Sequence, residues 1–308
     1  MTTEDQAAPR PSWWQRNAWN RPLSWWLVMN LTPRLPRPVV WLLHHVLSVA
    51  CFLTMGRQRV CVFANLRRIT GLEGLALVRM AYRTFHCFSR FMVAYTEVVR
   101  LGQGAPLPPL RGEEEAREVL DKLLAERRGL IVMTAHLGQW DLGLKLLSRL
   151  GSTVHVAMRE MEGLDVSRHA STARAAPTVV VHQSGASSML GLKLALALRR
   201  GDIVAVQGDR PVGHHDVQAK LFGAPALLTT GAVRLAWATG APILPVFILL
   251  DGRSGYRLVT GDPIRLERPR EETREAIDTA MANITQALED VISRHPEQWF
   301  SFHDPWAA

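Results

Sequence analysis

From Leu130 to Leu250, short charge-free runs of aliphatic and β-branched residues alternate with amphipathic stretches, and that alternation leaves few folds open. Leu130–Thr134, 153–158, 178–182, Ile203–Gln207 and 243–250 read as strands. They are too short for helices and carry the near-continuous apolar character of strands buried on both faces. Residues 142–150, 189–200 and 231–238 read as helices between them, and 270–294 as a long terminal helix. Ahead of the first strand, 113–128 places Ala116, Val119, Leu120, Leu123 and Leu124 on one face. Its acids come first and its arginines last, as a helix dipole favours, and Gly129 ends it. Strands joined by helices predict an α/β fold, a mixed, mostly parallel sheet flanked by helices on both faces.

The start of the chain is built differently. Residues 1–68 hold nine arginines against Glu4 and Asp5, a net +7, while the other 240 residues net +1. Six of the ten tryptophans (Trp13, Trp14, Trp19, Trp25, Trp26 and Trp41) lie in the same stretch, which Pro22, Pro33, Pro36 and Pro38 interrupt. Indole rings straddle a lipid headgroup layer while guanidinium meets phosphate, so this end is expected to associate with a membrane. Within it, 39–55 is an uncharged run of 17 residues containing His44 and His45, somewhat short of the roughly 20 a span needs. Arginines flank both of its ends and do not orient it. No cleavable signal is expected. The division expected is 1–68 as a membrane-associated helical segment, then 69–308 as the catalytic unit, comprising a helical lead-in 69–101, a Pro/Gly link 102–112 and the α/β core 113–308. A hydrophobic share of 47% with 21% charge excludes a disordered chain, a coiled coil and a disulfide mini-protein. Cys51, Cys61 and Cys87 have no metal-type spacing and indicate a reducing compartment.

Common catalytic signatures are missing. There is no P-loop, no dinucleotide-binding glycine fingerprint and no G-x-S-x-G elbow. Met133-Thr134-Ala135-His136-Leu137-Gly138-Gln139-Trp140-Asp141 stands out instead, because open α/β sheets hold their ligands just beyond the carboxyl ends of strands. His136 there can act as a general base toward a hydroxyl if a carboxylate holds its other ring nitrogen, and Asp141, four residues on, is the expected partner. The following backbone N–H groups, with Gly138 allowing close approach, are the expected oxyanion donors. As a bare pattern, the same spacing also fits a histidine near a helix start.

HLGQWD resembles the H-x-x-x-x-(D/E) block of the lysophospholipid acyltransferase superfamily, and its His-x-Gly-x-Trp-acid form resembles the bacterial lipid A lauroyl/myristoyl acyltransferase branch. Other blocks agree in order: Arg57–Arg59 with Asn65-Leu66-Arg67-Arg68-Ile69, then 201–210 ending in Asp209-Arg210, then Phe222-Gly223-Ala224-Pro225 with Gly231, 239–246, and Pro296-Glu297-Gln298-Trp299-Phe300-Ser301-Phe302-His303. The resemblance spans about 35–306. It implies a membrane-bound enzyme transferring a fatty acyl chain from acyl carrier protein or coenzyme A to a glycolipid hydroxyl such as that of a lipid A precursor, at the cytoplasmic face of a bacterial inner membrane. Asp141 stands where that branch usually has Glu, and Asp is commoner in glycerolipid and mannoside-type relatives. An ornithine lipid, polyene lipid, mannoside or lysophospholipid acceptor is therefore the alternative, as is a non-catalytic membrane adaptor retaining the scaffold. Arg159, Asp209 and Arg210 are expected to line the substrate pocket, and Arg168 is a weaker anion-contact candidate. The 32 arginines against four lysines suit forked phosphate contacts and an acidic carrier protein. No cofactor and no metal are expected, since His155, His182, His214 and His215 lack ligand spacing, and bound zinc would instead mark a metal-dependent hydrolase. Nucleic acid is not an expected partner, because no binding motif accompanies the basic cluster.

Overall fold

A computed structural model describes residues 34–101, 109–159, 178–184, 189–213, 216–252 and 255–307. The sheet has seven strands in the order β1-β9-β8-β2-β5-β3-β4: β1 (Leu110–Arg111), β2 (Leu130–Thr134), β3 (Val154–Arg159), β4 (Val179–Ser184), β5 (Ile203–Gln207), β8 (Ile243–Asp251) and β9 (Gly255–Thr260). The strands from β8 through β2, β5 and β3 to β4 pair in parallel, and β9 turns back antiparallel on β8. A mixed, mostly parallel α/β sheet flanked by helices is thus what the chain forms.

The two faces follow from alternation along β2. Ile131 and Met133 point to one side, where they pack with α6 (Leu190–Arg199), α7 (Gly231–Thr239) and α8 (Arg274–Arg294) through residues such as Leu198, Trp237 and Ile284. Leu130 and Val132 point to the other and meet Leu120 and Leu123 of α4 (Glu113–Ala125) and Leu147 of α5 (Asp141–Leu147). Strand β2 is buried between both layers, which is why its sequence carries no polar alternation.

Several boundaries move for local reasons. Helix α8 begins at Arg274 because Thr273 is its N-cap, accepting a hydrogen bond from the Ala276 amide at 3.2 Å. A hairpin absent from the sequence expectation, β6 (Asp216–Leu221) with β7 (Ala224–Thr229), forms a separate two-stranded sheet. Residues 56–70, to which the sequence expectation gave no helix limits of their own, form a helix, α2 (Gly56–Thr70), closed by Gly71.

Before it lies α1 (Arg37–Thr54), and after it α3 (Gly74–Leu101). Their buried side chains Val62, Leu66, Ala81 and Phe85 join Ile248, Leu250, Phe300 and Phe302 in one cluster. Among the described residues no single helix is long and apolar enough to cross a membrane, although Pro38–Thr54 and Gly56–Thr70 meet that test together across a 91° bend.

Candidate active site

Register in the central sheet creates the site. Strand β2 pairs with β5 so that Thr134 lies opposite Gln207. Two residues past each of those positions stand His136 and Asp209, at the carboxyl ends of neighbouring parallel strands. The Gly208 amide still donates to the Thr134 carbonyl at 2.9 Å. Beyond it the ladder opens, and the Asp209 carboxylate takes the place of a backbone partner. Its Oδ2 accepts from the His136 amide at 3.1 Å, and its Oδ1 lies 2.9 Å from His136 Nδ1. Trp299 Nε1 donates to Oδ2 at 3.0 Å, which fills the remaining direction around this fully buried carboxylate.

Asp209 therefore replaces Asp141 as the carboxylate on His136 Nδ1. Asp141, the first residue of α5, acts on the ring through its charge. The spacing that singled out Asp141 places it one helical turn away in sequence, whereas the parallel pairing brings Asp209 in from 73 residues away.

Electrostatics leave the imidazole neutral. Burial lowers the pKa of His136 and Arg210 adds to that, while Asp209 opposes both. Burial by itself would raise the Asp209 carboxyl, but His136, Arg210 and the Trp299 hydrogen bond outweigh it and hold the group well below the usual carboxylate range. The pair is a carboxylate beside a neutral imidazole whose Nδ1 carries the proton. Nε2 is then the basic nitrogen.

Two of the amides after His136 are engaged elsewhere and are not free to serve as the expected oxyanion donors. The Gly138 amide donates to the Gln298 carbonyl at 3.0 Å and the Gln139 amide to Ile248 at 2.7 Å. Gly138 has a structural task instead: its φ is +60°, and a Cβ there would lie 2.2 Å from the Ile248 carbonyl oxygen. Gly138→Ala is expected to destabilise the fold by about 3 kcal/mol or more, measured as a lowered denaturant midpoint.

Arg210 is a cation whose charge acts on both His136 and Asp209. One terminal nitrogen donates to the Phe300 carbonyl at 2.8 Å, while its buried Nε has no hydrogen-bond partner among the described residues. Arg159 ends β3 opposite Ser184, but its side chain, like all of Arg168, lies outside the described residues, as do His214 and His215. His155 and His182 are 2.9 Å apart and His155 also meets Asp202 at 3.1 Å, a chain of partly buried polar groups removed from His136.

The residues whose roles the sequence did not reveal come from the last segment. The Phe300 amide donates to the His136 carbonyl at 2.8 Å. The Gln298 side chain brackets Leu250, accepting from its amide at 2.7 Å and donating to its carbonyl at 3.1 Å. Asn65 of α2 holds the same strap from the other side, donating to the carbonyls of Ser301 and His303 at 2.9 Å each. Trp140 stacks on Phe91 at 4.1 Å and meets the His136 ring edge-on at 5.3 Å. The blocks around Asn65, His136, Asp209 and Trp299, far apart in the chain, are thus mutual contacts.

A family model described as bacterial lipid A biosynthesis acyltransferase matches residues 17–308. The chain belongs to that family. It is an acyltransferase, and His136 and Asp209 lie in two of the blocks by which the sequence resembled one. Among relatives, a phosphatidylinositol mannoside acyltransferase of Mycobacterium tuberculosis H37Rv is 27% identical over 260 residues, covering 79% of this chain and 76% of that protein. The protein of the same description from strain CDC 1551 matches to the same extent.

Proposed function

We propose that this acyltransferase moves a fatty acyl chain from a thioester of acyl carrier protein or coenzyme A to a hydroxyl of a glycolipid, with His136 as general base. The His136–Asp209 pair, neutral imidazole against buried carboxylate, carries the reading. Nε2 takes the proton of the acceptor hydroxyl as its oxygen attacks the thioester carbonyl carbon. A C–O bond forms and the carbonyl electrons move onto oxygen. Collapse of that intermediate breaks the C–S bond, and the departing thiolate recovers the proton from Nε2. Asp209 keeps the tautomer fixed and balances the transient imidazolium. Arg210, with its unpartnered Nε, is the donor assigned to the developing oxyanion. A non-catalytic adaptor would have no use for this arrangement of buried charge, which is costly to maintain unless paired.

The family description names lipid A biosynthesis, and the mycobacterial relatives are named for a mannoside. Both names point to a sugar-bearing lipid, which favours a glycolipid over the ornithine-lipid, polyene-lipid and lysophospholipid alternatives. The test is incubation of the purified protein in detergent with acyl carrier protein and coenzyme A thioesters, each against a lipid A precursor and a mannosylated phosphatidylinositol. Mass spectrometry is expected to show one added acyl ester on one of the two glycolipids, dependent on His136. Thioester loss without an acylated lipid would overturn the transfer reading.

The site works at a membrane in this proposal, on the cytoplasmic face of a bacterial inner membrane, where acyl thioesters are at hand. Val39, Leu42, Val46, Val49 and Leu53 recur at intervals of three and four along α1 and are all exposed, with Trp41 beside them. An apolar stripe next to the arginine-rich start is what an interfacial helix presents. Leu42→Glu with Val49→Glu, at exposed positions, is expected to leave the fold intact and release the protein from anionic vesicles in a flotation assay.

A further inference from the structure

On the face of α1 turned away from that stripe, three imidazoles converge. His44 and His45 of α1 stack at a centroid distance of 4.2 Å, and His86 of α3 lies 4.7 Å from the first and 4.8 Å from the second. One ring nitrogen of each falls within 4.8 Å of the others. Acyl transfer at His136 makes no use of them.

Their hydrogen bonding is incomplete in an informative way. His44 is 8% exposed, and its Nδ1 is buried with no partner among the described residues. A buried polar nitrogen left so is costly unless something ligates it. The Ser48 hydroxyl donates to the His44 carbonyl at 2.6 Å, so toward His86 Nδ1, at 3.5 Å, Ser48 offers only a lone pair. That contact favours the His86 tautomer with hydrogen on Nδ1 and a free lone pair on Nε2, the orientation an outer partner imposes on a metal ligand. Ser89 also donates to the His44 carbonyl, at 2.9 Å, and so ties α3 to α1 beside the ring.

We propose that His44, His45 and His86 form a binding site for one divalent transition-metal ion of the zinc type, which cross-links α1 to α3. Tetrahedral coordination at about 2.0–2.1 Å places ligand nitrogens about 3.4 Å apart. The rings must therefore draw together by about 1.5 Å at most, within the reach of side-chain torsions. Arg90 stands close enough for its charge to act on both His44 and His86. That charge opposes any divalent cation, so binding rests on the imidazole lone pairs, which select a borderline ion such as Zn²⁺ over Mg²⁺ or Ca²⁺. The metal would fasten the apolar helix to the body of the enzyme, a role independent of the acyl-transfer reading.

The experiment uses the full chain, free of any histidine tag, in detergent. Zn²⁺ is titrated in competition with a chromogenic chelator, and Co²⁺ by its visible absorption. One equivalent per chain is expected, with a tetrahedral cobalt spectrum and no competition from excess Mg²⁺ or Ca²⁺. His86→Gln and His45→Gln, the latter at a half-exposed position, are each expected to weaken binding by more than about 100-fold, beyond the effect of losing an outer partner. His182→Gln, elsewhere in the fold, is expected to leave it unchanged. Binding below one-tenth of an equivalent in the unaltered protein, or equal binding by both cluster variants and the unaltered protein, would overturn the proposal.

Discussion

His136→Ala is expected to lower acyl transfer by about 10²–10⁴-fold while the protein stays folded, because that is the scale on which general-base catalysis contributes. The truncation leaves Asp209 with two of its donors, the residue-136 amide and Trp299 Nε1, so the buried carboxylate keeps hydrogen-bonded company. His136→Gln offers a second variant that keeps a polar side chain near Asp209 but supplies no base. A single-turnover assay with excess thioester isolates the chemical step, and near-normal turnover in both variants would remove His136 from the mechanism. The pH dependence follows from sign. Burial and Arg210 lower the folded-state pKa of His136 below 6.5, so the neutral base persists as pH falls through that value. The acidic limb of the rate profile is expected below pH 6.5. A limb above it would mean that Asp209 dominates over burial.

How much of this was legible in the sequence depended on how local each signal was. Strand β2 and strand β5 matched their predicted limits, since a run of four or more uncharged, mostly aliphatic or β-branched residues declares itself without knowledge of its neighbours. His136 was legible for the same reason: it follows such a run directly. Asp209 was recognised at the end of a strand, and its contact with His136 was missed, because nothing in a linear reading says that β5 rather than β3 lies beside β2. Only the register Thr134 to Gln207 makes the two residues neighbours. Helix α2 escaped because Arg57, Arg59, Arg67 and Arg68 obscure a buried edge made of Val62, Asn65 and Leu66. The β6–β7 hairpin escaped because, although Asp216–Leu221 alternates polar and apolar residues, Pro225 and the adjacent Leu227 and Leu228 break the alternation on its partner strand. The C-terminal strap was visible as a motif, but its work is done by backbone hydrogen bonds to His136 and Gly138, which composition does not report.

The contrast between two asparagines tests the assignment most sharply. Asp209→Asn is expected to reduce kcat by about 10³–10⁴-fold, the scale on which a catalytic imidazole suffers when its orienting carboxylate becomes an amide. An amide at 209 can donate to Nδ1, which drives the ring proton to Nε2 and removes the lone pair that must face the acceptor hydroxyl. It also leaves the imidazolium formed during attack without its counter-charge. Asp141→Asn removes a charge that acts on the ring from α5. One unit charge at partly screened range is worth about 1–3 kcal/mol, so a loss of about 10–100-fold is expected. Both substitutions preserve shape, and the Asp209 site retains the option of accepting from Trp299 and the His136 amide through its carbonyl oxygen. Circular dichroism and thermal unfolding confirm that each variant is folded before rates are compared. The larger loss falling on Asp141 would return the orienting role to the residue that the sequence alone had favoured, and Asp209 would become a structural clamp for the end of β2.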